Sequence, residues 1–116
     1  MRALPRLPIY LAAEPMSMQG SFDKLSGMVR EQFGQDPMRD GIYVFYNRAR
    51  THLKVLWYDR SGFLIVYKRM SRGVFPIPRP VLPTDRTIEM GERELSMILD
   101  GIDHPRVLRA RAPRAA

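Results

Sequence analysis

The sequence suggests polyanion binding, because cations and aromatic residues recur together in its middle. Residues 54–69 read KVLWYDRSGFLIVYKR. Lysine and arginine contact phosphate oxygens, and exposed aromatic rings stack on nucleic-acid bases. The candidate DNA-binding cations are Arg48, Arg50, Lys54, Lys68, Arg69 and Arg72, and the candidate stacking residues are Tyr43, Tyr46, Trp57, Tyr58 and Tyr67. A second interpretation stays open, in which the aromatic residues form a core and the cations a solvated rim.

The positive charge of this chain is concentrated in one region. The 116-residue chain carries a formal net charge of +7. Residues 48–79 contain eight basic residues and one acid, Asp59, so this segment alone equals the net charge. A second basic segment follows His104 and contains four arginines and no acid. Such a localised positive field attracts polyanions and accelerates encounter with them.

The sequence does not predict a catalytic, cofactor or metal site. It has no cysteine, and its two histidines, His52 and His104, lack partners at metal-ligand spacing. Phosphate-cradling glycine loops are absent as well. A metal-dependent nuclease would need Asp36, Asp40 and Asp59 to converge on a metal ion. These residues lie in turn-like segments, where aspartate is common because its side chain hydrogen-bonds to the backbone. We therefore expect a protein that is not an enzyme.

Apolar spacing predicts one long helix in the first third of the chain. A short strand is expected over residues 7–12, followed by an amphipathic helix over residues 18–33 that packs on a sheet. Ser17 is a candidate N-cap for this helix, and Gly34 stands where a helix commonly ends. The inward-facing residues at helical spacing are Phe22, Leu25, Val29 and Phe33.

Three strand-like segments follow closely and predict an antiparallel meander. They span residues 42–47, 53–58 and 63–69, are rich in β-branched and aromatic residues, and have short connections. The second connection, DRSG, contains Gly62, a residue type that permits a positive φ. Four prolines between residues 76 and 83 then favour an extended arm.

The remaining pattern completes a small α+β fold. Residues 87–88 predict a brief strand and residues 92–100 a short C-terminal helix, with Leu95, Ile98 and Leu99 inward. The predicted architecture is a small antiparallel β-meander packed against one amphipathic helix, with a short C-terminal helix. Residues 1–103 are expected to form a single domain, and residues 104–116 a basic, flexible tail.

Several motifs in fixed order resemble a known family. They are IYLAAEPMSMQGSFDKLSGMV, then IYVFYNRARTHLKVLWYDRSGFLIVYKRMSRGVF, then ELSMILDGID, and together they span residues 9–103. The combination resembles the small accessory proteins, of Orf2 or TnpB type, of the sixty-sixth insertion-sequence family of bacterial transposable elements. These proteins are distinct from the RNA-guided nuclease that shares the TnpB name.

The resemblance implies a non-catalytic helper of transposition that uses no cofactor. Its expected partners are DNA, the element-encoded transposase and a second small accessory protein. It implies no catalytic residues, so the six candidate cations depend on charge and position, supported by the matching NR, LK and YKR motifs. The alternative is a protein-interaction module that docks the transposase through the proline-rich arm or the sheet, without direct DNA contact. No apolar run is long enough for a membrane span, and a cytoplasmic protein is expected.

Overall fold

The centre of the fold is a five-stranded sheet in the order β4-β3-β2-β1-β5. This computed structural model describes residues 4–103. The strands are β1 (Ile9–Ala12), β2 (Ile42–Tyr46), β3 (His52–Asp59), β4 (Gly62–Arg69) and β5 (Thr87–Met90). Antiparallel pairing joins β2 to β3 and β3 to β4. The predicted meander and the α+β class are therefore confirmed, while the basic tail over residues 104–116 lies outside the described residues.

The sheet is larger than predicted, and it is mixed. Strand β1 runs parallel to β2, with Ile9 opposite Ile42, and β5 pairs antiparallel with the other side of β1. Parallel neighbours need a long crossover connection, because the chain must return to the same end of the sheet. The helix α1 (Phe22–Met28) lies in this crossover. The short apolar segment at the start of the chain is thus an inner strand with a partner on each side.

The long helix begins later than predicted and ends where predicted. Its N-cap residue is Ser21, whereas Ser17 lies outside the helix and its hydroxyl accepts a hydrogen bond from the Gln19 amide. The prediction of Ser17 as N-cap is therefore wrong. After α1, the segment Val29–Phe33 continues as a π-helix and stops at Gly34, whose φ is +66°. A glycine adopts this left-handed conformation without the steric cost that a side chain imposes.

One face of the sheet packs against this helical segment. The Phe33 ring stacks on Tyr43 and Phe45, with centroid separations of 6.2 and 6.0 Å. Leu25 and Val29, which lie at helical spacing from Phe33, are buried in the same core. The prediction is therefore confirmed for Leu25 and Val29, and for Phe33, which packs against the core. It is wrong for Phe22, the first residue of α1, which exposes 42% of its surface.

The second helix and the start of the proline-rich segment complete the core. The helix α2 (Glu92–Leu99) buries Leu95 and Ile98. Phe75 is fully buried and Ile77 exposes 4% of its surface, so the start of the proline-rich segment belongs to the core. All five residues of β2 are buried, so both faces of the sheet are covered at this strand.

In the tight turn between β3 and β4, the positive φ falls on a residue other than the glycine. Asp59 pairs with Gly62, which leaves Arg60 and Ser61 as the loop. The positive φ, 56°, belongs to Arg60, and Gly62 does not adopt one. The amide of Ser61 donates to the Asp59 carbonyl across this residue. An arginine in this conformation crowds its Cβ against the backbone, so the turn carries a local steric cost.

Candidate nucleic-acid interface

Two loops meet at one end of the sheet and bring four arginines together. Arg48 and Arg50 lie in the β2–β3 loop, Arg69 ends β4, and Arg72 lies in the connection that follows. Backbone bonds hold the two segments side by side: the Met70 amide donates to Thr51 O at 2.9 Å, and the Phe75 amide to Arg50 O at 2.7 Å. Arg48, Arg69 and Arg72 are exposed and Arg50 is half-buried. We call these four residues the arginine end.

The conformation of the β2–β3 loop is held by the Asn47 side chain. Its Oδ1 accepts from the amides of Thr51 and His52, at 2.9 and 3.0 Å. Its Nδ2 donates to Thr51 Oγ1 at 3.0 Å and lies 3.2 Å from His52 Nδ1. The side chain thus closes the loop and allows Arg50 a φ of 59°. An asparagine or aspartate that bonds to the backbone a few residues on is a common turn device.

Sequence reasoning missed this role of Asn47. In the NR motif, charge draws attention to Arg48 and gives no reason to single out Asn47. The available signal was an asparagine at the end of an apolar strand, four residues before Thr51, because such residues often cap turns through side-chain oxygens. His52, which lies next to Thr51, is half-buried beside this network.

Lys54 does not lie on the accessible surface, although it was a candidate for phosphate contact. Only 7% of its surface is exposed. Its ammonium donates to the carbonyl oxygens of Met18 and Gly20, at 2.8 and 2.9 Å. The same nitrogen lies 4.9 Å from the centre of the Tyr67 ring, within cation–π distance. Lys54 therefore fastens the segment before α1 to the sheet, and its charge is satisfied internally.

Lys68 is exposed, but it points away from the arginine end toward α2. Its ammonium donates to the carbonyl oxygen of Leu99, the last residue of that helix. The carbonyls at a helix C-terminus lack partners within the helix and carry a partial negative charge, so a cation is stabilising there. Five of the six candidate cations thus remain at least partly exposed, and four of them belong to the arginine end.

Burial separates the candidate stacking residues. Tyr43, Tyr46 and Trp57 expose no more than 3% of their surface and belong to the core. Tyr58 is half-buried with its ring edge-on to Phe63. Tyr67 exposes 54%. The core interpretation therefore holds for three of the five, and Tyr67 is the most accessible.

The buried tyrosines are bound through their hydroxyls. Tyr46 donates to the Ala13 carbonyl at 3.0 Å, and burial raises its pKa to about 12, with Arg50 opposing that shift. Tyr43 donates to Gln35 Oε1 at 2.8 Å. Burial, and then the negative charge of Asp40, raises the pKa of Tyr43 well above its usual range. Both hydroxyls are therefore structural donors that stay protonated at neutral pH.

Two of the three acidic candidates for a metal site, Asp36 and Asp40, accept hydrogen bonds from backbone amides. Asp36 Oδ1 accepts from the Met38 amide at 2.9 Å, and Asp40 Oδ2 from the Asp36 amide at 2.7 Å. Within residues 4–103, no three His, Asp or Glu side chains are grouped so as to hold a metal ion. Over the same residues, no helix has the length and apolar character needed to cross a membrane.

Comparison with known proteins identifies the family. Residues 7–109 match the family described as "IS66 Orf2 like protein". The chain is 31% identical to the uncharacterized protein y4hO of Sinorhizobium fredii over 99 residues, covering 84% of each chain. It is 29% identical to the uncharacterized protein y4jC of the same strain over 103 residues, covering 89% of this chain and 86% of the relative. No solved structure matches significantly. The chain belongs to the IS66 Orf2-like family of insertion-sequence accessory proteins.

Proposed function

We propose that this protein is a non-catalytic accessory factor for transposition, acting in the bacterial cytoplasm, that binds the DNA backbone through the arginine end. The observation that carries the proposal is the joining of two loops, which gathers Arg48, Arg50, Arg69 and Arg72 from separate parts of the chain. The family membership supports the transposition context.

Arginine suits this task for physical reasons. Its guanidinium remains charged and donates paired hydrogen bonds to phosphate oxygens. Each phosphate that is neutralised releases condensed counterions, which gives affinity with little sequence discrimination. A surface cleft of about 450 Å³, lined in part by Ser17, Asn47 and Arg48, gives the site a concave flank. Binding is thus expected to weaken steeply as salt rises.

The test is a salt titration of binding to a labelled duplex, with two triple variants matched in charge. The first changes Arg48, Arg69 and Arg72 to alanine. The second changes Arg39, Arg60 and Arg93, which are also exposed. Arg60 lies beyond the far end of β3, whose eight residues at about 3.3 Å each separate it from the arginine end by about 25 Å.

The first variant should flatten the slope of log affinity against log salt by about 2.7, since each lost phosphate contact removes about 0.9. The matched variant should retain most of the wild-type slope. Equal losses in the two variants would indicate a diffuse charge effect and contradict a defined interface. No binding to duplex or to single-stranded DNA at low salt would overturn the proposal.

A second candidate function is docking of the element-encoded transposase, with or without the second small accessory protein. It is favoured by the exposed apolar tip of the proline-rich arm, where Val81 exposes 91% and Leu82 56% of the side-chain surface. We would test it by co-purification with the transposase, comparing wild type with a variant changed to aspartate at both positions. Undiminished capture by the variant would contradict docking through this tip.

A further inference from the structure

Tyr67 is an exposed aromatic ring beside the arginine end. It lies on β4 two residues before Arg69, so the two side chains point to the same face, about 6.7 Å apart along the strand. Its neighbours across β3 are Lys54, directly opposite, and His52, opposite Arg69. More than half of the Tyr67 surface is exposed, at 54%. An aromatic ring and a cation therefore share one accessible patch.

The ring of Tyr67 is braced from the sheet side. The Lys54 ammonium lies 4.9 Å from the ring centre and is itself fixed by the carbonyls of Met18 and Gly20. The His52 ring lies 5.9 Å away at a 52° tilt. These contacts limit the rotamers of Tyr67 before any ligand binds. A pre-oriented ring loses less conformational entropy on binding than a mobile one.

The Tyr67 ring lies at the outer edge of the sheet. β4 is an outer strand of the sheet, so no sixth strand continues past Tyr67 among the described residues. A planar group can therefore approach the ring from the edge of the sheet. The adjacent charge of Arg69 would contact the phosphate attached to such a group.

We propose that Tyr67 stacks on an unpaired base, so that the ligand of the arginine end is single-stranded DNA. Bases inside a duplex stack on each other and present only their edges in the grooves, whereas an unpaired base offers its face to an aromatic ring. The inference depends on the proposed DNA-binding function and narrows its substrate class.

The experiment compares three probes of equal length: a thymine single strand, the same strand with abasic residues in place of the bases, and a duplex. The abasic strand keeps the phosphate charge and removes the stacking partner. The proteins are wild type, Tyr67→Leu and Tyr67→Phe. Leucine retains an apolar side chain against Lys54 and removes the ring, phenylalanine retains the ring, and melting temperatures verify that each variant folds.

Wild type should bind the thymine strand more tightly than the abasic strand, by roughly 5- to 100-fold. Tyr67→Leu should bind both strands with the affinity that wild type shows for the abasic strand. Tyr67→Phe should stay within about twofold of the wild-type affinities. Affinity for the duplex and the salt slopes should not change, because no phosphate contact is lost.

Two outcomes would overturn this inference alone. In the first, Tyr67→Leu still binds the thymine strand more tightly than the abasic strand. In the second, it loses affinity for the duplex and for the single strand equally. In either case arginine-dependent duplex binding would leave the proposed function standing. Absence of binding to every probe would overturn both. A salt slope that is insensitive to the change of Arg48, Arg69 and Arg72 would count against the arginine end, independently of Tyr67.

Discussion

Replacement of Asn47 by alanine should destabilise the fold by about 2–3 kcal/mol. The change removes acceptors from the amides of Thr51 and His52 and a donor from Thr51 Oγ1. Each hydrogen bond contributes about 1 kcal/mol net, and the amides left unpaired add a desolvation cost. The loop is half-buried, so water replaces part of the loss. For a domain of this size the melting temperature should fall by about 10–20 °C.

Two variants make the measurement specific, with stability followed by urea unfolding and by thermal melting. Asn47→Asp keeps oxygen acceptors for the two amides and loses the amide donor, so it should show about half of the loss. Arg48→Ala changes the neighbouring exposed side chain and should stay within about 0.5 kcal/mol of wild type. A change below 0.5 kcal/mol for Asn47→Ala would refute the view that this side chain holds the loop.

Three further outcomes follow from individual contacts. Lys54→Met should lower stability by about 1–3 kcal/mol, because two charge-assisted hydrogen bonds are lost while the desolvation cost of the ammonium is relieved. The salt slope of DNA binding should stay unchanged. A flattened slope would indicate that Lys54 belongs to the interface. Arg60→Gly should raise the free energy of unfolding by about 0.5–1 kcal/mol, since the steric cost of a φ of 56° for arginine exceeds the entropy cost of ordering a glycine. A lower free energy of unfolding in urea would contradict a strained turn. Because burial raises the pKa of Tyr46 from 10.0 to about 12, the unfolded chain releases this proton first, and stability should fall as pH rises across that window, by on the order of 3 kcal/mol from this group. The raised pKa of Tyr43 adds a fall of its own, so Tyr46→Phe should reduce the alkaline loss of stability without abolishing it; an unchanged alkaline profile would contradict the assignment.

The sequence predicted those elements whose signal is local. The meander, the stop at Gly34 and the inward residues Leu95 and Ile98 follow from side-chain periodicity and from glycine conformation. The parallel pairing of β1 with β2 could not be read in this way, because strand partners depend on contacts between distant segments. The late start of α1 shows the same limit, since Ser17 and Ser21 offer equally suitable N-cap chemistry.

The candidate site was predicted in composition but not in its details. Charge clustering drew attention to Arg48, Arg50, Arg69 and Arg72, and the backbone bonds that join their two loops could not be predicted from it. Charge clustering was misleading for Lys54. Side chains alternate between the two faces of a strand, Lys54 lies on the face that α1 covers, and the sequence does not say which face is covered. A lysine among apolar strand residues can find partners in carbonyls far along the chain, as Lys54 does with Met18 and Gly20.

The two outer strands have a consequence for self-association. An outer strand presents unpaired amide and carbonyl groups that can template pairing with a second molecule, and natural sheets limit this with short or charged edges. Strand β5 has four residues, and the end of β4 carries Lys68 and Arg69. Two copies that pair through β4 in parallel register bring these cations against each other, within a screening length of about 8 Å at physiological salt. The cations at the end of β4 therefore also oppose growth of the sheet into an aggregate.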